Sequence, residues 1–358
     1  MVYLNAACRP TLIGSLPPMD EGRALDLVMT YTPRIPHWVQ MPGSGKEGMI
    51  QQFAQGLPGI TSRDNTLFMD RAGPAFESEL LDFYEAYMAV KDGSLNLDES
   101  PFVLASDLAG GFFAFLSRIE QMQEPLVAVK GQITGPVTFS TGLKNEQGQA
   151  IYFDEQARDA AVKMIAMKAR WQVRQLAIFG VPVVIFLDEP SLAGFGSSEL
   201  IGLSKEDVSA CLDEVFEAVH AEGGITGIHV CANTDWSVVM ESQADIVNFD
   251  AYGYFDRFML YDRHIVDFFR SGRVLAWGLV PTLNTEDIAG EDADSLVADF
   301  WDKVDRVAAL GIETATILSQ SLITPSCGAG ALTLAFAEKV LKLTRDVSQI
   351  IRKEVDIW

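Results

Sequence analysis

Val183-Val184-Ile185-Phe186-Leu187 is wholly apolar and gives way abruptly to Asp188-Glu189-Pro190. A short β-branched run that ends in polar groups, followed by a longer stretch with helical spacing, is the mark of one parallel β/α unit. The same rhythm recurs on both sides. Further strands are expected at residues 11–15, 37–41, 128–133, 226–230, 246–249, 274–278 and 314–318, which together with 183–188 make eight. A closed (β/α)8 TIM barrel needs that number, and a doubly wound open sheet is the alternative. Amphipathic helices at 154–179, 204–222 and 294–310, each opened by an Asp or Ser of capping type, suit the outer ring of a barrel. The longest excursion, from Lys46 to Pro125, has helical pieces near 75–90 and 108–121 and reads as an inserted helical segment after the second strand. No fixed-period repeat or low-complexity tract interrupts the chain. A single α/β domain over residues 1–358 is expected.

Composition limits the function. The chain has 358 residues, 48% of them hydrophobic, enough for a core of barrel size. A formal net charge of -22 opposes the phosphate neutralisation that underlies nucleic-acid affinity and disfavours anionic membranes, so no nucleic acid and no membrane is expected as partner. The N-terminal residues lack a basic stretch followed by an apolar run, and the longest apolar stretches fall far short of the ~20 residues that cross a bilayer. A cytoplasmic location is expected. Four widely spaced cysteines do not make a disulfide framework and read as free thiols or metal ligands.

Barrel enzymes carry their chemistry at the C-terminal ends of strands. The expected strand ends are Gly14-Ser15, Gln132-Ile133-Thr134-Gly135-Pro136, Asp188-Glu189-Pro190, His229-Val230-Cys231, Asp250 and, after the last strand, Pro325-Ser326-Cys327-Gly328. His229 and Cys231 are two apart, so on an extended segment both point to one side. Imidazole and thiolate are zinc ligands, and Cys327 is placed to supply a third from a neighbouring part of a closed cylinder. A packed cysteine beside a hydrogen-bonded histidine is the plain alternative. Cys211 falls in a helical pattern and Cys8 precedes the first strand, so neither is assigned to the metal. His37, His220 and His264 fit helix-end or surface roles. Asp188 and Glu189 offer a carboxylate pair for binding an ammonium or for acid–base work, with Asp188 the stronger candidate and helix capping its plain alternative. Pro42-Gly43-Ser44-Gly45-Lys46 lacks the residues of a true phosphate loop.

In order and spacing, Ile13-Gly14-Ser15, Thr134-Gly135-Pro136-Val137-Thr138, Leu187-Asp188-Glu189-Pro190, His229-Val230-Cys231 and Pro325-Ser326-Cys327-Gly328 resemble the catalytic, C-terminal barrel of cobalamin-independent methionine synthase in its stand-alone form. That barrel belongs to the uroporphyrinogen decarboxylase/methionine synthase superfamily. The resemblance implies that Zn2+ is held by His229, Cys231 and Cys327, that Asp188 holds the amino group of homocysteine, and that Gly14 and Ser15 meet its carboxylate. It implies a fourth ligand at the end of the sixth strand, a glutamate in the family and Asp250 here. The methyl donor implied is a methylated corrinoid such as methylcobalamin, free or on a corrinoid protein, ahead of methyltetrahydrofolate. Methylcobamide:coenzyme M methyltransferases share the barrel and zinc pattern, but their sulfonate acceptor offers no ammonium to Asp188. A metal-free uroporphyrinogen decarboxylase-like enzyme, or a protein that only binds a metal or a corrinoid partner, completes the alternatives.

Overall fold

The computed structural model describes residues 4–195 and 202–356; of the N-terminal stretch that lacks a signal-peptide pattern, residues 1–3 lie outside these. The strands are β1 (Arg9–Pro10), β2 (Ile60–Arg63), β3 (Thr66–Met69), β4 (Val129–Thr134), β5 (Val183–Asp188), β6 (Ile225–Val230), β7 (Ile246–Phe249), β8 (Val274–Val280) and β9 (Ser321–Pro325). Seven of them form one parallel sheet in the order β1-β9-β8-β7-β6-β5-β4, curved as a half-barrel of TIM-barrel type. Single parallel bridges, Ser15 to Gln40 and His37 to Lys130, continue the pairing from the segment after β1 toward β4. Gln40 N donates to Gly14 O at 3.1 Å and Lys130 N to Pro36 O at 2.9 Å. The strands expected at 11–15 and 37–41 are thus bridged segments rather than continuous ladders.

The strand expected at 314–318 is instead a helix, Thr314–Ser319, and the last strand is the wholly buried Ser321–Pro325. The β-branched Thr-Ala-Thr-Ile run favours a strand by propensity, but only Ile317 and Leu318 of the helix are buried, so tertiary burial decides against it. The shift brings Cys327 to within two residues of a strand end.

Helices cover the outside. Glu155–Ala177 is capped by Asp154, whose carboxylate accepts Ala157 N at 3.0 Å, and Lys205–Ala221 is capped by Ser204, which accepts Asp207 N at 3.0 Å. The helix expected to open at Asp294 is Ala293–Ala308, with Asp292 and Ser295 forming a reciprocal capping box. The excursion after Gln40 contains helices Phe76–Asp92 and Gly110–Glu120, near the expected pieces, and also an unexpected antiparallel hairpin of β2 and β3. Its two turn residues, Asp64 and Asn65, have φ of 50° and 61°, the backbone of a type I′ turn that these residue types tolerate best after glycine.

Side chains that point into the sheet's concave face change character along the strands. The lower face is an apolar cluster that includes Ile35, Ala128, Val184, Phe186, Ile246 and Ala276. Toward the C-terminal ends the inward residues become Lys130, Gln132, His229, Asn248 and Thr324, all buried. Gly227 makes room beside β5: a Cβ there would lie 2.1 Å from the Phe186 ring. A packed lower half therefore carries a polar upper half. Among the described residues no helix is long and apolar enough to cross a membrane.

Candidate metal centre

His229 is the penultimate residue of β6, Cys231 directly follows that strand, and Cys327 lies two residues beyond β9. Their ligand atoms all lie within 4.8 Å of one another. Zinc bound at about 2.0 Å to nitrogen and 2.3 Å to sulfur sets tetrahedral ligand atoms roughly 3.5–3.8 Å apart, so a small contraction suffices.

The imidazole is preset for this. Asn248 on β7 donates through its amide nitrogen to Ala276 O at 2.9 Å and to Thr324 Oγ1 at 2.7 Å, on β8 and β9. Its Oδ1 must then face His229 and accept from Nδ1. That fixes the proton on Nδ1 and leaves Nε2, buried and without any other hydrogen-bond partner, as the free lone pair. The donor set, the orphaned nitrogen and its fixed tautomer all fit zinc.

The two thiols share their proton unequally. A hydrogen bond from Cys327, with help from His229, draws Cys231 down to about 4, against the upward pull of burial. Cys327 is pushed up by the same hydrogen bond and by burial. Burial alone would hold His229 down, but the nearby Cys231 and the negative charge of Asp188 leave it raised. Cys8 and Cys211, by contrast, are each pushed to about 12, chiefly by burial, and stay outside the cluster as expected.

Asp188 and Glu189 part ways. Asp188 ends β5 with Oδ1 buried and unpartnered, and burial raises its carboxyl to about 6 while His229 and Lys130 counter the rise. It caps no helix. Glu189 turns the other way and accepts from Val137 N at 2.9 Å, Thr138 N at 2.8 Å and Thr138 Oγ1 at 2.7 Å. It therefore pins the Gly135-Pro136-Val137-Thr138 turn, which needs the glycine because a Cβ at 135 would lie 2.2 Å from Glu189 Oε1. The carboxylate pair expected to act together is one open group and one structural clamp.

The first and last strand ends interlock. Ser15 O accepts from Ala329 N at 3.0 Å, and Ser15 Oγ accepts from Gly330 N at 3.3 Å. A Cβ on Gly328 would lie 2.1 Å from Ser15 Oγ. Gly14 rests against Gln132, whose side chain its Cβ would meet at about 2.9 Å. The Ser15 turn and the Cys327 turn thus hold each other in place.

Asp250 does not join the His-Cys-Cys cluster. Its short carboxylate is committed to capping helix Ala251–Phe258, accepting Gly253 N at 2.7 Å, and burial raises it to about 6. Asp250, the expected fourth ligand, is here a helix cap close enough to feel His229 and Cys231. His37 also differs from expectation: it is fully buried, and neither ring nitrogen has a hydrogen-bond partner among the described residues. His220 pairs with Asp245 and His264 with Glu241, as a helix end and a surface allow. A cavity of about 750 Å³ opens in the 46–125 excursion, lined by Gln51, Leu57, Phe83 and Leu108 among others, and no cluster residue lines it. Asn248 and Lys130 were missed in the sequence. The signal for each was a polar residue at an inward position of an otherwise apolar strand.

No family model and no curated protein matches the chain. Among solved structures it is similar to a B12-independent methionine synthase from Shewanella sp. W3-18-1 in complex with selenomethionine, with 15% identity over 99% of this chain and 100% of that one and a TM-score of 0.54. At that identity the likeness is one of fold. The tandem GH20 modules of the pneumococcal exo-β-D-N-acetylglucosaminidase StrH match at 8% identity over 98% of this chain and 89% of that one, with a TM-score of 0.47 too low to carry an argument.

Proposed function

We propose that residues 1–358 form one (β/α)8 domain, with segment 35–40 completing the barrel and the 46–125 excursion inserted beside it. We propose that the domain is a zinc-dependent methyltransferase that methylates the thiol of homocysteine to give methionine. The observation that carries this reading is the convergence of the ligand atoms of His229, Cys231 and Cys327 within 4.8 Å of one another at strand C-termini. Zinc held there lowers the pKa of a thiol and keeps it as thiolate, the strong nucleophile.

The chain's own residues bind and orient the acceptor. Asp188, with its unpartnered Oδ1, takes the ammonium, while Gly14 and Ser15 meet the carboxylate from across the mouth. Asp250 stays a cap, which leaves the fourth position to the substrate. The sulfur–methyl bond forms as the donor–methyl bond breaks, and the bonding pair stays on the donor. The proposed donor is a methylated corrinoid, methylcobalamin or its protein-bound form, ahead of methyltetrahydrofolate. The open Asp188 carboxylate favours an acceptor with an ammonium over a sulfonate thiol of the coenzyme M kind, and the three-ligand cluster favours a metal enzyme over a decarboxylase-like one.

Elemental analysis of the purified protein tests the reading. About one zinc per chain is expected, lost in His229→Ala, Cys231→Ser and Cys327→Ser and kept in Cys8→Ser and Cys211→Ser. With the site established, homocysteine is assayed with methylcobalamin and with methyltetrahydrofolate. A protein that takes up no zinc under reducing conditions sinks the proposal.

A further inference from the structure

Lys130 is fully buried on the concave face of the sheet, and the chemistry proposed above makes no use of it. Its Nζ donates to Ile13 O at 2.6 Å and more weakly to Gln132 Oε1 at 3.4 Å, and lies 4.6 Å from the centre of the Phe186 ring. No carboxylate forms an ion pair with it among the described residues. A buried cation held only by neutral acceptors is costly, and methionine or leucine would fill the same space more cheaply. Its location is specific. Ile13 opens the turn that contains Gly14 and Ser15, so the ammonium sits directly beneath the residues proposed to meet the acceptor's carboxylate. Asp188 stands on the neighbouring strand and higher up, since Lys130 is in register with Val184 and Thr134 with Asp188. Burial draws the Lys130 ammonium down to about 7 and the charge of Asp188 resists that drop, so the two groups sense each other.

We propose that Lys130 is a specificity-determining positioning residue: it supports the Ile13-Gly14-Ser15 turn from below and supplies an amino group whose positive charge matches, and is favoured by, a carboxylate on the thiol acceptor, while Asp188 matches its ammonium. The site then reads the dipole of an α-amino acid zwitterion. A thiol with only one of the two charges leaves its counterpart in the wall uncompensated. Lys130 does not touch the acceptor; it acts through the Ile13 carbonyl and through space. This inference rests on the thiol-acceptor reading above.

Three thiols separate the charges: homocysteine carries both, 4-mercaptobutyrate only the carboxylate, and 3-aminopropane-1-thiol only the ammonium. Their dissociation constants are read from the sulfur-to-metal absorption band of the cobalt(II)-substituted protein, wild type and Lys130→Met, with thermal melts as a check on folding. A unit charge about 8 Å away at an effective dielectric constant near 20 corresponds to roughly thirtyfold in affinity. Lys130→Met is therefore expected to weaken homocysteine and 4-mercaptobutyrate by about tenfold or more, and 3-aminopropane-1-thiol by less than twofold. Equal weakening of all three, or of none, overturns the role of Lys130 and leaves the acceptor reading standing. A wild-type protein that binds cobalt but none of the thiols overturns the acceptor reading, and this inference with it. Should Lys130→Met not fold, Lys130→Gln serves for the same comparison.

Discussion

Asn248 is the residue through which the proposed metal site can be loosened without touching a candidate ligand. Replacing it with alanine removes the acceptor for His229 Nδ1 and strands two further groups, Ala276 O and Thr324 Oγ1. The imidazole is then free to rotate or to move its proton to Nε2, which blocks the lone pair the metal needs. Loss of such an outer partner typically lowers metal affinity by about 10–100-fold, or roughly 1.4–2.8 kcal/mol. Unpartnered buried groups add about 1–3 kcal/mol of lost fold stability. The two effects separate in experiment: competition against a chromophoric chelator gives zinc affinity, and denaturant unfolding of the metal-free protein gives stability. Asn248→Asp is informative beside it, because a carboxylate still accepts from Nδ1 but cannot donate to Ala276 O or Thr324 Oγ1. It should keep most of the zinc affinity and lose stability. The reasoning is refuted if Asn248→Ala binds zinc within twofold of wild type.

Two other outcomes follow from the geometry. Gly328→Ala forces a methyl group into Ser15 Oγ, so the interlocked turns must separate; a stability loss of about 1–3 kcal/mol and weaker zinc binding are expected by melting and chelator competition, and an unchanged melting temperature would argue that the turns yield freely. Glu189 is raised to about 7 from an ordinary 4.5, chiefly by burial, so between those values the folded protein holds a proton that the unfolded chain has released. Its contribution therefore favours folding below about pH 4.5 and declines as pH rises toward 7, by an amount on the order of 3 kcal/mol. Glu189→Gln should flatten that part of the stability–pH curve in urea unfolding, and an identical slope in both proteins would rule the attribution out.

The strand ends of the candidate site were legible because a parallel sheet packed on both faces makes each strand an apolar run that stops where the polar end of the sheet begins. Val183–Asp188 and the His229-Val230-Cys231 segment stand where their residues indicate. The helix at Thr314–Ser319 was not legible, since threonine and isoleucine favour extended backbone and only the burial of the following Ser321–Pro325 run excludes it. The hairpin had a local signal in Asp64-Asn65 that the helical pieces on either side of it masked. Asp250 was ambiguous because a carboxylate at a strand end reads equally as a ligand and as a helix cap, and its cap bond to the Gly253 amide is visible only in the structure. Asn248 shows the limit from the other side: its partners Ala276 and Thr324 lie on other strands, and no local pattern brings three strands together around one amide.

Two of the candidate ligands stand two positions apart on one strand, and the third arrives only at position 327 of 358. During synthesis, then, the growing chain exposes a histidine and a reactive thiol long before their partner leaves the ribosome. A two-point grip on a metal is weak and exchanges quickly, so lasting capture waits until the final strand docks between β1 and β8. On the proposed metal site, retention of the ion would therefore mark chains that extend through Cys327: a product truncated before it would begin the fold with only two of the three candidate ligands.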